Sequence, residues 1–83
     1  MITIKYFASL REQLNCDVEQ LHWQTSVSTL FQIKALLSER NSIWLQALNN
    51  PCIQIAVNQH LKHDDCSIAD GDEIAFFPPV TGG

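Results

Sequence analysis

The first residues of the chain alternate between two faces, as a β-strand with one buried side does. The apolar face of this run carries Ile2, Ile4 and Tyr6. A second alternating run at residues 18–23 places Leu21 and Trp23 on the side that carries the larger apolar side chains. Between the two runs, Leu10 and Leu14 stand four positions apart, which is the spacing of a short helical turn. The opening of the chain therefore predicts a strand, a short helix and a second strand.

Helical spacing dominates the middle of the chain. Thr25 and Ser26 offer hydroxyl groups that suit a helix N-cap. Apolar residues then recur at intervals of three and four, at Val27, Leu30, Phe31, Ile33, Leu36 and Leu37. We predict the main helix from about Ser26 to Glu39. A shorter helical piece over residues 43–48 is expected to end before Pro51.

Strand periodicity returns in the C-terminal half of the chain. Apolar residues alternate over residues 53–57, a short strand is expected near Leu61, and residues 73–77 form the last strand. Pro78 and Pro79 end that strand because neither residue donates a ladder hydrogen bond. Two strands, one main helix and further strands define an α+β class, with the helix packed on one face of a mixed sheet. The pattern resembles a ubiquitin-like β-grasp domain over residues 1–77, followed by a tail over residues 78–83.

Composition and charge restrict the partners of this domain. The 83 residues are 46% hydrophobic and carry a formal net charge of −4, which suits one small core. Five Lys and Arg residues stand singly along the chain, so they form neither a basic stripe for nucleic acid nor a polybasic membrane patch. No secretory signal or membrane-spanning run is readable. We expect a cytoplasmic protein that binds neither nucleic acid nor membrane.

Motifs of a self-sufficient enzyme are missing from the sequence. It lacks the phosphate-loop, dinucleotide, zinc-protease and nucleophile-elbow patterns, so we expect no cofactor on this chain. Cys16, Cys52 and Cys66 have no zinc or disulfide spacing and are interpreted as buried or incidental thiols, with a sulfur-handling nucleophile as the alternative. His60–Cys66 contains possible ligands but is interpreted as a solvated turn, so no metal site is predicted.

The last six residues have an unusual composition. Pro78 and Pro79 favour an extended exit from the last strand, while Gly82 and Gly83 remove side chains from the tip. Extended, this tail reaches roughly 20 Å at most. It therefore predicts a terminal carboxylate that enters a narrow channel of another protein, the alternative being a loose chain end. Adenylation would activate the carboxylate of Gly83, and it must occur in trans because no ATP motif is present.

Three stretches of the sequence carry a family resemblance: Phe-Phe-Pro-Pro-Val-Thr-Gly-Gly at 76–83, Phe-Ala-x-x-Arg-Glu at 7–12 and Ala-Val-Asn-Gln at 56–59. They resemble the small subunits of molybdopterin synthase, the MoaD family of sulfur carriers. The resemblance implies that an E1-like enzyme uses ATP to adenylate Gly83. A sulfur donor, such as a cysteine desulfurase or rhodanese, then forms a thiocarboxylate. The chain departs from the family pattern at Asn15-Cys16 and at residues 60–67, both in predicted loops.

The same resemblance implies how the sulfur is delivered. The large synthase subunit holds cyclic pyranopterin monophosphate and supplies the catalytic residues, and the two kinds of subunit form a heterotetramer. Sulfur passes to the pterin for molybdenum cofactor biosynthesis. The tail that enters the large subunit consists of Pro78, Pro79, Val80, Thr81 and Gly82. This small subunit would then carry sulfur without being catalytic itself.

Two aromatic residues are out of phase with their strands. Phe7 and Phe77 fall on the side opposite the predicted core, which predicts an exposed protein-binding patch unless a loop or bulge buries them. By the resemblance, Leu61 joins this patch. Three alternative functions remain open: a sulfur carrier for thiazole synthesis, a ubiquitin-like modifier joined to lysines, and a β-grasp interaction module with an inert terminus.

Overall fold

One mixed sheet organises the part of the chain that the structure describes, residues 1–79 of a computed structural model. Its strands are β1 (Ile2–Tyr6), β2 (Val18–Leu21), β3 (Gln54–Val57), β4 (His60–Lys62) and β5 (Glu73–Phe77). Their order across the sheet is β2-β1-β5-β3-β4. The central pair β1 and β5 is parallel, and the other neighbours are antiparallel. The predicted α+β architecture with a mixed sheet is confirmed.

Three helices connect the strands: α1 (Ala8–Leu14), α2 (Leu30–Ser38) and α3 (Ser42–Leu48). The predicted start of the main helix at Ser26 is wrong, because Thr29 is its N-cap. The Thr29 hydroxyl accepts a hydrogen bond from the Gln32 N–H at 3.2 Å, and the Gln32 side chain accepts one from the Thr29 N–H at 3.2 Å. This reciprocal capping box satisfies two free donors at once, which neither Thr25 nor Ser26 does.

Pairing with the neighbouring strand sets one boundary of β2 and one boundary of β3. β2 ends at Leu21, short of the predicted Trp23, because Leu21 pairs with Ile2, the first residue of β1. β3 begins at Gln54, which pairs with Phe77. The next residue along β5 is a proline without an N–H, so the ladder does not continue.

The helices cover one face of the sheet and enclose the core. The largest fully buried side chains come from both layers: Tyr6, Phe76, Ile2, Ile4, Leu30, Ile33, Leu37, Leu48 and Ile74. The Tyr6 ring stacks on Phe76 with centroids 5.7 Å apart and meets the edge of Trp44 at 5.3 Å. The Trp23 indole packs beside this core and donates a hydrogen bond to the Ile68 carbonyl at 2.8 Å. Each such buried side chain contributes about 1.5–3 kcal/mol.

The predicted tail is described only at its root. Pro78 and Pro79 follow β5 and are half-buried. Val80, Thr81, Gly82 and Gly83, to which the tail chemistry was assigned, lie outside the described residues. Within residues 1–79, no helix has the length and apolar character that crossing a bilayer demands.

Candidate functional site

An aromatic pair stands on the sheet face that the helices leave open. Phe7 follows β1 directly, and Phe77 is the last residue of β5. The two strands run parallel, and the Phe7 N–H donates to the Phe76 carbonyl at 3.1 Å, which sets Phe7 beside Phe77. Their rings stack with centroids 4.7 Å apart and planes 7° apart. Both rings point away from the core, as the alternation predicts, and Phe7 is 38% exposed.

Small residues form a floor next to this aromatic pair. Ala56 pairs with Ala75 on one side and with Leu61 on the other, so the three lie in one row across the open face. The two alanines are buried, whereas Leu61 is 58% exposed at the edge strand. The register therefore places Leu61 on the same face as Phe7 and Phe77, which periodicity alone does not show. Together these side chains line a groove of about 350 Å³.

A polar rim borders the apolar groove. The Lys5 ammonium and the Glu73 carboxylate form an ion pair at 3.1 Å, and Gln59 stands at the turn between β3 and β4. Because both ionic groups are partly exposed, the pair contributes at most about 1 kcal/mol to stability. An apolar centre with a polar rim is the usual anatomy of a protein-binding surface.

Five further residues line the groove without having been predicted as site residues: Lys5, Ala56, Gln59, Glu73 and Ala75. The parity of the strands holds a signal for some of them, since Lys5, Glu73 and Ala75 share a side with the two out-of-phase aromatics. The groove itself has no sequence signal, because it depends on how β1, β5, β3 and β4 are ordered in the sheet.

A second cluster of polar groups lies outside this groove and connects β1 and β2 to the segment between α2 and α3. The Arg40 guanidinium donates two hydrogen bonds to the Glu19 carboxylate, at 2.6 and 2.8 Å, and the Tyr6 hydroxyl donates a third at 2.8 Å. Arg40 also lies over the Trp44 ring, 4.5 Å from its centroid. Burial alone would raise the pKa of Glu19, but the bonds from Arg40 and Tyr6 outweigh it and hold that pKa below its ordinary value. The cluster joins two parts of the fold.

Cys16 borders the same carboxylate. Its sulfur lies 3.6 Å from Glu19 Oε2, and burial followed by the charge of Glu19 raises the pKa of the Cys16 thiol. Because the thiolate is the nucleophilic form, the raised pKa lowers the reactivity of Cys16 at neutral pH. Among residues 1–79, no group of three or more His, Cys, Asp or Glu side chains is arranged to hold a metal ion.

The described residues therefore form an exposed apolar groove with a polar rim at the base of the predicted tail. Phe77 supplies one wall of the groove, and the chain leaves the sheet at the next residue, Pro78. A partner seated in the groove would lie next to the point where the tail departs. Phe7, Leu61 and Phe77, predicted from separate stretches of sequence, lie on this one surface.

Solved structures share this fold over nearly the whole chain. SAMP1 from Haloferax volcanii is 24% identical with a TM-score of 0.76, covering 99% of this chain and 98% of that protein. A protein in the complex of subunits 1 and 2 of the molybdopterin-converting factor from Helicobacter pylori is 25% identical with a TM-score of 0.70, covering 99% and 97%. The class of protein that the sheet order and the helix layer define is the ubiquitin-like β-grasp.

Curated relatives and a family profile narrow that class. The profile of the ThiS family matches residues 4–83. The molybdopterin synthase sulfur carrier subunit of Escherichia coli is 42% identical over 84 residues, and the one of Haemophilus influenzae is 36% identical over 83 residues; each match covers all of both chains. The chain belongs to the ThiS family, and the resemblance to molybdopterin synthase small subunits that its motifs predict is confirmed.

Proposed function

We propose that this chain is the sulfur-carrying small subunit of a molybdopterin synthase. In this proposal the Gly83 carboxylate is adenylated, converted to a thiocarboxylate, and donates its sulfur to cyclic pyranopterin monophosphate during molybdenum cofactor biosynthesis. The observation that carries the proposal is the apolar groove of Phe7, Leu61 and Phe77 directly before a tail that ends in Gly-Gly. The names of the two curated relatives support the same pathway.

A division of labour between this chain and its partners follows from its composition. A carboxylate becomes an acyl donor only after activation, and the sequence has no ATP-binding motif. An E1-like enzyme would therefore use ATP to adenylate the carboxylate, and a cysteine desulfurase or rhodanese would supply the sulfur. Catalytic residues for the transfer to the pterin would belong to the large subunit, and this chain would act as a non-catalytic carrier. Its three free thiols suit the reducing cytoplasm in which we place the reaction.

The large subunit is the partner that we assign to the open sheet face. The similar Helicobacter pylori structure is a complex of subunits 1 and 2 of the molybdopterin-converting factor, which supports a two-subunit assembly here. Aromatic side chains are enriched in protein interfaces, and the stacked pair of Phe7 and Phe77 supplies two of them on this face. Docking on this face would guide residues 78–83 into the partner, in a heterotetramer with one small subunit at each end of a large-subunit dimer.

The relatives also bear on the other functions that a Gly-Gly tail suggests. The curated relatives from Escherichia coli and Haemophilus influenzae are both named for molybdopterin synthase. Their names favour this role over a carrier for thiazole synthesis, a modifier joined to lysines, or a module with an inert terminus.

Intact-mass spectrometry tests the proposal. After incubation with the E1-like enzyme, ATP and a sulfur donor, the mass should show one oxygen replaced by sulfur at the C-terminus. A variant with one residue added after Gly83 should keep the same circular dichroism spectrum and an unchanged mass. An unmodified wild-type mass under conditions that charge a known carrier would overturn the proposal, and adducts on lysines would indicate a modifier instead.

A further inference from the structure

The turn between β3 and β4 holds its second residue in an unfavourable conformation. Asn58 and Gln59 have φ values of 50° and 70°. They form a two-residue hairpin loop, because Val57 pairs directly with His60. Positive φ at both positions is the type I′ pattern, which favours Asn at the first position and Gly at the second. Asn58 fits this preference, whereas the Cβ of Gln59 is strained in the left-handed region.

Hydrogen bonds to Asn58 fix this turn from the side of β5. The Asn58 N–H donates to the Glu73 carbonyl at 2.8 Å, and the Glu73 N–H donates to Asn58 Oδ1 at 3.0 Å. The Asn58 amide nitrogen donates to Asp72 Oδ1, also at 3.0 Å. Asn58 thus makes both the turn and its attachment to the sheet. The shape of the turn does not depend on the side chain at position 59.

The side chain of Gln59 does not stabilise the folded chain through hydrogen bonds as the side chain of Asn58 does. Its side chain is exposed and makes no hydrogen bond to any residue of the described range 1–79. For the fold alone, a glycine at position 59 would be better, since it removes the strain and loses no contact of this kind. A strained residue without a role in the fold indicates a role in binding.

Gln59 lies where it could contact a molecule bound in the groove. Gln59 lines the groove together with Ala56, Leu61 and Phe77, and it also borders a shallower depression of about 260 Å³ beside Glu73. The groove floor is apolar, and the charges of Lys5 and Glu73 already satisfy each other. The amide of Gln59 therefore offers a neutral donor and a neutral acceptor at the groove's rim.

We propose that Gln59 is a specificity-determining residue of the large-subunit interface, and that its side-chain amide pairs with a main-chain peptide group of the docked partner. An amide can pair with a peptide group because it carries two N–H donors and a carbonyl acceptor, while the peptide group carries one N–H donor and one carbonyl acceptor. A partner without such a group there would bury the amide unpaired, which disfavours binding. This inference rests on the proposed function, since it deepens the assignment of the groove to that partner.

The test compares stability with affinity in Gln59→Gly, Gln59→Ala and Gln59→Glu. Melting temperature is measured on the full chain, and the Kd for the large subunit is measured by calorimetry. Gln59→Gly should raise the melting temperature by roughly 4 °C because it removes the strain. It should also weaken binding about five- to tenfold, the value of one net hydrogen bond. Gln59→Ala keeps the strain, so it should weaken binding equally without raising the melting temperature.

Gln59→Glu tests the pairing itself, because it keeps the shape of the side chain but removes the N–H donors. We expect it to weaken binding at least as much as Gln59→Ala. If Gln59→Gly and Gln59→Ala bind with wild-type affinity while Phe77→Ala binds weakly, the inference is wrong and the proposed function stands. If the wild-type chain does not bind the large subunit at all, both are overturned.

Discussion

Phe7 and Phe77 stack face to face, 4.7 Å between ring centroids, although 69 residues separate them in the chain. Neither ring belongs to the buried core. The parallel pairing of β1 and β5 brings the two together on the outer face, where their contact with each other is partly exposed to water. The pair therefore leaves apolar surface that a partner can cover.

The first prediction concerns Phe77→Ala. It should weaken binding to the large subunit by roughly 30-fold, corresponding to about 2 kcal/mol for a central interface anchor, and lower the melting temperature only modestly. Calorimetry and thermal unfolding measure the two effects. Phe31→Ala is the matched control, because Phe31 is a 48% exposed phenylalanine on α2 that does not line the groove. Its affinity should equal that of the wild type.

A large loss of melting temperature with unchanged affinity would show that Phe77 is a structural residue. Equal loss of affinity in Phe77→Ala and Phe31→Ala would show that binding does not distinguish the two faces. Either result would show that the open sheet face is not the surface that binds the large subunit.

The second prediction concerns the backbone next to Phe7. Ala8 has a φ of 52°, in the left-handed region that an alanine disfavours, and it turns the chain from β1 into α1. Ala8→Gly should therefore raise the free energy of unfolding by about 1 kcal/mol. Ser9→Gly, one residue later in the ordinary helical region of α1, should lower it by about 0.5 kcal/mol. Urea unfolding measures both, and a loss of stability in both variants would contradict the strain at Ala8.

The third prediction is a pH dependence caused by Glu19. Its pKa is held below the ordinary value in the folded state, so the unfolded state binds a proton more readily. The contribution of Glu19 is then present at neutral pH. It begins to fall as the pH drops below about 5, through the ordinary glutamate range, and is lost as the pH drops through the lowered pKa of the folded state. Between pH 7 and about pH 4, wild type should lose more stability than Glu19→Gln, as urea unfolding at several pH values would show.

Arg40→Gln provides the control for that measurement. Arg40 is the first of the groups that lower the pKa of Glu19. Its removal should flatten the same part of the pH profile. A wild-type slope in both variants would show that the Glu19–Arg40 pair does not control acid stability.

The fourth prediction concerns the thiols. Burial and the neighbouring Glu19 raise the pKa of the Cys16 thiol, whereas Cys52 is exposed. An alkylating reagent should therefore modify Cys52 faster than Cys16. A variant with all three cysteines changed to serine should still be charged with sulfur at Gly83. Loss of charging in a folded triple variant would instead assign the sulfur chemistry to a thiol.

β1 could be predicted from the sequence because its buried positions alternate strictly. Ile2, Ile4 and Tyr6 are buried as the pattern predicts, and the same parity places Phe7 on the outside. The start of α2 was predicted wrongly, although a signal was present. Thr29 and Gln32 have the spacing of a capping box, which decides between several nearby hydroxyl groups.

The groove could not be predicted because it depends on pairing between distant strands. Leu61 reaches the open face only because it pairs with Ala56, which in turn pairs with Ala75. The positive φ values of Ala8 and Gln59 also lack a sequence signal, since neither residue type favours that conformation. Tertiary context imposes both.

A single-turnover transfer of sulfur tests whether Gly83 supplies the sulfur that reaches the pterin. Chain charged as the thiocarboxylate is purified, then mixed with the large subunit and cyclic pyranopterin monophosphate, without ATP or the activating enzyme. Intact mass follows Gly83, and mass spectrometry of the pterin follows the product. Gly83 should return to a carboxylate as the pterin gains sulfur. A pterin that gains no sulfur from the charged chain, or gains it while the thiocarboxylate at Gly83 persists, would show that Gly83 is not the sulfur donor.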